Sequence, residues 1–205
     1  MQTATALLSR KPHRAGPALL LLDGTVTLQE ARLHEACGPA RHSFAAWAAG
    51  AVQRADRGPV LWVHLGWQEA CPNPDGMIPF CAPGELLFVS VTKMDDLLWT
   101  MEEALRAGCA PLVVGDVAEL PSLTQVRRLH LAAEQGAGRF GAAPLGLMLT
   151  PGPAGGAPGV ESRWHLAPTH GRDHAGWALT RLRARTAPEA RFDLRMTDTG
   201  TIVAL

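Results

Sequence analysis

An α/β fold with a largely parallel central sheet and an antiparallel carboxy-terminal extension is what this chain predicts, and three observations predict it. Short apolar runs at 33–36, 59–64, 86–91, 110–114 and 145–149 alternate with amphipathic or apolar helical stretches. Compact runs rich in Val, Leu and Trp, as in Pro59-Val-Leu-Trp-Val-His64, are the signature of strands buried on both faces of a parallel sheet. After residue 160 the helical period disappears, and strand-like pieces at 161–166, 177–186 and 191–205 follow one another, so the βα alternation gives way to antiparallel pairing.

Composition narrows the class. The chain has 205 residues, 47% hydrophobic and 19% charged, enough for one domain with a real core. Lys+Arg and Asp+Glu are both 19, so no global field favours nucleic acid or an anionic membrane, and any DNA contact must be local or indirect. The four cysteines, Cys37, Cys71, Cys81 and Cys109, form no C-x-x-C pair, and no signal-peptide pattern precedes them. Free thiols in a reducing cytoplasm are therefore expected, without structural zinc. The longest apolar run, 44–49, is too short to span a bilayer.

In chain order, residues 1–16 are polar and basic, with Lys11, His13 and Arg14, and read as a flexible arm ahead of a single domain over 17–205. The 18–22 run, the turn dipeptide Asp23-Gly24 and the returning Val26 and Leu28 predict a hairpin. Ser43 is placed to cap a helix whose inward face carries Phe44, Trp47, Ala48, Ala51 and Val52. Between Gly66 and Gly84, four prolines and no period predict an irregular connection with at most a turn of helix. A helix over 94–108 buries Leu97, Leu98, Met101, Ala104 and Leu105 and stops at Gly108. Another over 122–135 turns Leu123, Val126, Leu129 and Ala133 inward, and Arg127 and Arg128 outward. The Gly/Pro/Ala-rich 151–159 segment reads as a flexible loop, and Asp198-Thr-Gly200 as the last hairpin turn.

The stretch 31–46 has the outline of a phosphate-binding loop, strand then tight turn then helix, without the groups that do the chemistry. Such a loop needs glycines that let backbone N–H groups converge on phosphates, a lysine for the β/γ-phosphates and a hydroxyl for Mg²⁺. Here Gly38 and Pro39 remain of the turn. Ser43 stands where the preceding glycine belongs, Phe44 where the lysine belongs, and Ala45 and Ala46 where the hydroxyl belongs. Arg41 and His42 sit where anion contacts would be made.

The strings Leu-His-Glu-Ala-Cys-Gly-Pro at 33–39 and Leu-Val-Val-Gly-Asp-Val-Ala-Glu-Leu at 112–120, with the element order from about Ala31 to the end, resemble the RecA ATPase core. Within it the chain is most similar to the ImuA family of small accessory proteins of SOS mutagenesis. The 94–120 segment, Arg127-Arg-Leu-His-Leu-Ala-Ala-Glu134 and Ser162-Arg-Trp-His-Leu-Ala-Pro168 carry that likeness. A related helix, strand and helix occur in SulA-type inhibitors of cell division.

The resemblance implies a three-layer RecA-like fold with a degenerate nucleotide site. It would place an acid after Val114 to hold Mg²⁺; Gly115 stands there, Asp116 comes one place late, and a one-residue shift on a strand reverses side-chain direction. A general base is expected just after Val63, where His64, Leu65 and Gly66 stand, with Glu69 too far along. Phosphoryl transfer depends on these groups for positioning and charge stabilisation. The expectation is therefore a non-enzyme with no cofactor and no metal: a pseudo-ATPase adaptor in error-prone translesion DNA synthesis. Its implied partners are an inactive Y-family polymerase homologue, an error-prone replicative-type DNA polymerase and RecA. The alternative is a SulA-type division inhibitor.

Trp164 and Trp177 read either as core aromatics or as partner anchors, and Arg127 and Arg128 either as a solvated face or as a partner contact. His170 and His174, four apart but in a Gly-containing loop after Pro168, read as solvated rather than metal-binding. Cys71 near His64 lacks a third group to orient a thiol nucleophile.

Overall fold

The computed structural model describes residues 16–68, 72–139 and 143–205. The arm assigned to 1–16 lies outside these apart from Gly16, as do Glu69 and Cys71. The chain opens with β1 (Ala18–Leu21), a 3-10 turn at Leu22–Gly24 and β2 (Val26–Gln29), which pair as the predicted hairpin. Then follow β3 (Leu33–Cys37), α1 (Arg41–Arg54), β4 (Val60–Leu65), α2 (Pro74–Met77), β5 (Leu86–Val91), α3 (Met94–Ala107), β6 (Leu112–Asp116), α4 (Leu123–Gly136) and β7 (Leu145–Leu149). Four strands close the chain: β8 (Ser162–Pro168), β9 (Gly176–Ala184), β10 (Ala190–Met196) and β11 (Ile202–Ala204).

These build a nine-stranded sheet in the order β11-β10-β9-β8-β3-β7-β6-β4-β5. Strands β8, β3, β7, β6, β4 and β5 are mutually parallel, and β9, β10 and β11 extend the sheet antiparallel, as the sequence predicts. The core has two parts because the parallel strands are covered twice. On one face α1 and the β1–β2 hairpin pack on Trp62, Val114, Leu147 and Trp164, together with Trp177 and Leu194 of the extension. On the other, α3 and α4 pack on Leu33, Val63, Val113 and Met148. Among the described residues no helix is long and apolar enough to cross a membrane.

Helix α1 is buried at every position from Phe44 to Val52, not along one stripe, because the hairpin covers its outer side. Gly50 lets the 79–80 segment approach the helix closely: a Cβ there would lie 1.9 Å from the Phe80 carbonyl oxygen. Ser43 does not cap this helix. The cap position is Ala40, without a side-chain bond, and Ser43 lies inside the first turn. Helix α4 has the full device instead: Ser122 Oγ accepts from the Gln125 N–H while Gln125 Oε1 accepts from the Ser122 N–H. Helix α3 ends on left-handed Gly108. Leu123 departs from expectation; it is the first residue of α4 and is 41% exposed.

The 150–161 connection joins two parallel strands without a helix. It runs back across β3 on the α4 side, where Ala157 and Val160 join the core, and Thr150 N and Glu161 N donate to Ala36 O and Leu33 O. The flexibility expected from its composition is countered by these anchors.

A closed crevice at the carboxyl end of the parallel strands

From β3 the chain travels outward through α1 to β4 and β5, returns through β6 and β7, and then crosses to β8 on the other side of β3. The carboxyl end of β3 is thus a topological switch point, where open parallel sheets bind their ligands. The loop Gly38-Pro39-Ala40 stands at this place. Gly38 has φ +89°, and a Cβ there would lie 2.6 Å from Leu166 O, so the loop is pressed beneath β8. Ala40 N donates to Leu166 O at 3.1 Å and Arg41 N to Gly38 O at 3.3 Å, so two amides of the turn bond to the chain itself.

Beside the loop, His42 Nε2 donates to Asp116 Oδ2 at 2.6 Å, and Arg41 Nε lies 3.9 Å from Asp116 Oδ1. Asp116 is 2% exposed, and the His42 ring stacks at 6.4 Å over Trp62. Here the structure corrects the strand phase. Val114 and Asp116 face α1, whereas a Cβ at Gly115 would lie 2.1 Å from the Met101 sulfur on the α3 side. The acid thought to point the wrong way is the one at the crevice, and the Gly115 position faces away from it. Of the expected anion contacts, His42 is engaged by this internal carboxylate, whereas Arg41 Nε and Asp116 Oδ1 are each buried without a hydrogen-bond partner.

Phe44 and Ala45 are fully buried. The Phe44 ring stacks on Trp164 at 6.2 Å and lies 6.3 Å from Trp47, deep between α1 and β8. Phe44→Leu should cost about 1–2 kcal/mol by removal of packed ring carbons; an unchanged urea midpoint would place the ring in solvent. Trp164 and Trp177, 1% and 3% exposed, are core aromatics, so the partner-anchor reading of both is corrected. Trp177 packs edge-on against Trp47 and Phe80, and Arg181 lies over the Trp164 ring. Arg127 and Arg128 are exposed on α4, with Arg128 Nη2 2.6 Å from Glu102 Oε2.

Two buried polar networks escaped the motif search. Glu35, fully buried on β3, bonds through Oε2 to Arg163 Nε at 2.5 Å. Its Oε1 accepts from Thr150 Oγ1 at 2.7 Å, Gly156 N at 2.7 Å and Ala157 N at 3.2 Å, which pins the 150–161 connection. On the opposite face His34 Nε2 donates to Gln29 O at 2.9 Å, which leaves Nδ1 to accept from Ser162 Oγ at 2.7 Å; Trp164 Nε1 donates to the same Oγ. Burial pulls the His34 pKa down to about 4. The Ser–His contact lies inside the core, with Ser162 4% and His34 1% exposed, and serves satisfaction of buried groups. A signal existed in the sequence: Glu35 and His34 interrupt a strand that topology buries on both faces, which obliges each to have a partner.

Burial pushes the Cys37 thiol up to about 12 and Cys81 to about 11, which keeps both protonated at neutral pH. His170 Nδ1 accepts from Gly176 N, holding the β8–β9 turn. No group of three or more His, Cys, Asp or Glu suited to a metal ion occurs among the described residues.

Fold and site together define a mixed α/β protein whose switch-point crevice is closed by its own loop, an aspartate and two basic side chains. No protein-family model matches the chain, and no curated protein matches it.

Proposed function

We propose that this chain is a non-catalytic RecA-like adaptor acting in SOS-induced, error-prone translesion DNA synthesis, in the manner of the ImuA family its sequence resembles. The observation that carries the non-catalytic part is the closed crevice: Asp116 is committed to His42, and the lysine and hydroxyl positions hold buried Phe44 and Ala45. A triphosphate entering here would meet no lysine and no loop hydroxyl, and the second carboxylate oxygen of Asp116 lies 3.9 Å from Arg41 Nε without a hydrogen bond. The layered parallel sheet with its antiparallel wing and the degenerate loop at the switch point support the RecA-like part.

As an adaptor the protein would bridge an inactive Y-family polymerase homologue, an error-prone polymerase and RecA, and the chemistry would be the polymerase's. With Trp164 and Trp177 in the core, contact surfaces fall to exposed apolar groups, among them Trp67 and Trp99, 64% and 60% exposed, Leu87 and Phe88 on edge strand β5, and Leu131 beside Arg127 on α4. Calorimetric titration with Mg-ATP is expected to give no heat of binding. A micromolar dissociation constant, about −8 kcal/mol, would overturn the closed-crevice reading. Deletion should abolish damage-induced mutation. Filamentation of overexpressing cells, with mutation rates intact after deletion, would favour the SulA-type division inhibitor instead.

A further inference from the structure

The antiparallel wing is covered on one face only. Trp177, Leu179 and Leu194 turn towards α1, so strand alternation turns Ala178 and Thr180 of β9, and Arg191, Asp193 and Arg195 of β10, to the other side. A bulge between Arg163 and Trp164 resets the phase of β9, and Arg183 stands opposite Arg163, on the side where Arg163 meets Glu35. Cross-strand pairing sets these residues in rows: His165, Thr180 and Arg191 in one, Ala167, Ala178 and Asp193 in the next. None of them belongs to the core under α3 and α4, and each is half-buried or exposed.

Small side chains keep the middle of this open face flat, and arginines surround it. Arg183, Arg185, Arg191 and Arg195 are exposed, whereas Asp193 is the one exposed carboxylate at these strand positions. Arg183 and Arg195 have no ion-pair partner among the described residues. Arg191 Nε lies 3.7 Å from Asp193 Oδ1, and Arg185 Nε 3.8 Å from Glu161 Oε2. At Arg185 the basic strip runs on into a cavity beside α4 that Arg32 and Arg127 also line. The formal net charge of the chain is zero, so this excess is local. No exposed large apolar side chain of the described residues falls on β8, β9 or β10, and the aromatic rings of these strands, Trp164, Trp177 and Phe192, pack on the α1 side. A protein partner is held by an apolar centre with aromatic anchors, which this face lacks. Polar, positively charged surface is what nucleic acid binds.

We propose that the open face of the wing binds single-stranded nucleic acid through its phosphates. Strand geometry sets Arg191 and Arg195 about 14 Å apart and Arg183 and Arg185 about 7 Å apart, and a flexible backbone can bring successive phosphates to them. A rigid duplex would rest on a flat face along one ridge and reach fewer. With no Phe or Trp on this side for bases to stack on, binding is indifferent to sequence and carried by charge. The inference is independent of the adaptor reading, which requires only protein partners.

The test is fluorescence anisotropy of a labelled oligo(dT) of about 20 nucleotides, titrated with the full chain. Micromolar binding is expected at about 50 mM salt, with a log–log salt slope of about −3 for four phosphate contacts. The triple variant Arg183→Gln, Arg191→Gln, Arg195→Gln should bind about tenfold more weakly and bring the slope to about −1, with its urea midpoint unchanged because these side chains are exposed. Asp193→Asn removes a repelling charge from the face and should tighten binding about threefold, a gain that damage to the fold cannot produce. No saturable binding up to about 100 μM protein would overturn the proposal. So would a triple variant that binds like the parent, or tighter binding of a duplex of equal length. Equal competition by poly-L-glutamate would overturn it too, and give the face to an acidic protein partner.

Discussion

Arg163→Met is expected to lower the unfolding free energy by about 3–5 kcal/mol, the range for removing one partner from a buried ion pair. Glu35 has no access to solvent, and among the described residues Arg163 supplies its only positive charge within ion-pair distance, with Nη2 also bonded to Ala157 O at 2.9 Å. Without the guanidinium, Thr150 and two loop amides still bond to Glu35 but carry no net charge to offset the carboxylate. The double variant Glu35→Gln, Arg163→Met tests the cause. A glutamine keeps an acceptor for the loop and removes the charge, so the double variant should be more stable than Arg163→Met alone. Urea midpoints checked against each other decide it; a double variant as unstable as the sum of the single ones would show that the pair is not coupled.

Acid should destabilise the fold through His34. Its folded pKa is about 4, mainly through burial and despite the bond to Gln29 O, against 6.5 when unfolded. Between those values the unfolded chain takes up a proton that the folded chain refuses, so stability rises with pH across the window and falls as pH drops from 6.5 towards 4. Above that window the imidazole is neutral in both states and contributes no slope. The full loss is about 3 kcal/mol from this residue, at 1.36 kcal/mol per pKa unit. His130 is shifted in the same direction by burial and adds to the slope. Carboxylates titrate lower, so the measurement is the urea midpoint between pH 7.5 and about 5, compared with His34→Gln. Equal slopes in the two proteins would remove His34 as the cause.

Much of the sheet was legible because its strands are short apolar runs between helices of unmistakable period. The run at 145–149 is β7 to the residue, and α3 follows the 94–108 pattern to its Gly108 stop. What escaped was side-chain direction and long-range pairing. Gly115 and Asp116 differ by one place, and which of them faced α1 depended on the phase that β4 and β7 impose on β6. Glu35 and Arg163 are 128 positions apart, and nothing local in either strand names the other. Phe44 was legible as core from its helical face, but Trp164 and Trp177 could not be divided between core and surface without the tertiary packing that brings them into one cluster with α1 and the β1–β2 hairpin.

The closed end of the sheet also constrains what this chain can become. A lysine in place of Phe44 would carry its ammonium between Trp47 and Trp164; an aspartate at Gly115 would press into Met101; loss of His42 would strip Asp116 of its donor. Each step towards a phosphate site therefore weakens the fold before any ligand can compensate, and no single step brings the remaining groups with it. Neighbouring sequences in that direction are less stable proteins. The closed end of the sheet is held in the space of sequences as firmly as in the space of conformations, so any opening of it would have to begin with substitutions that first stabilise the fold elsewhere.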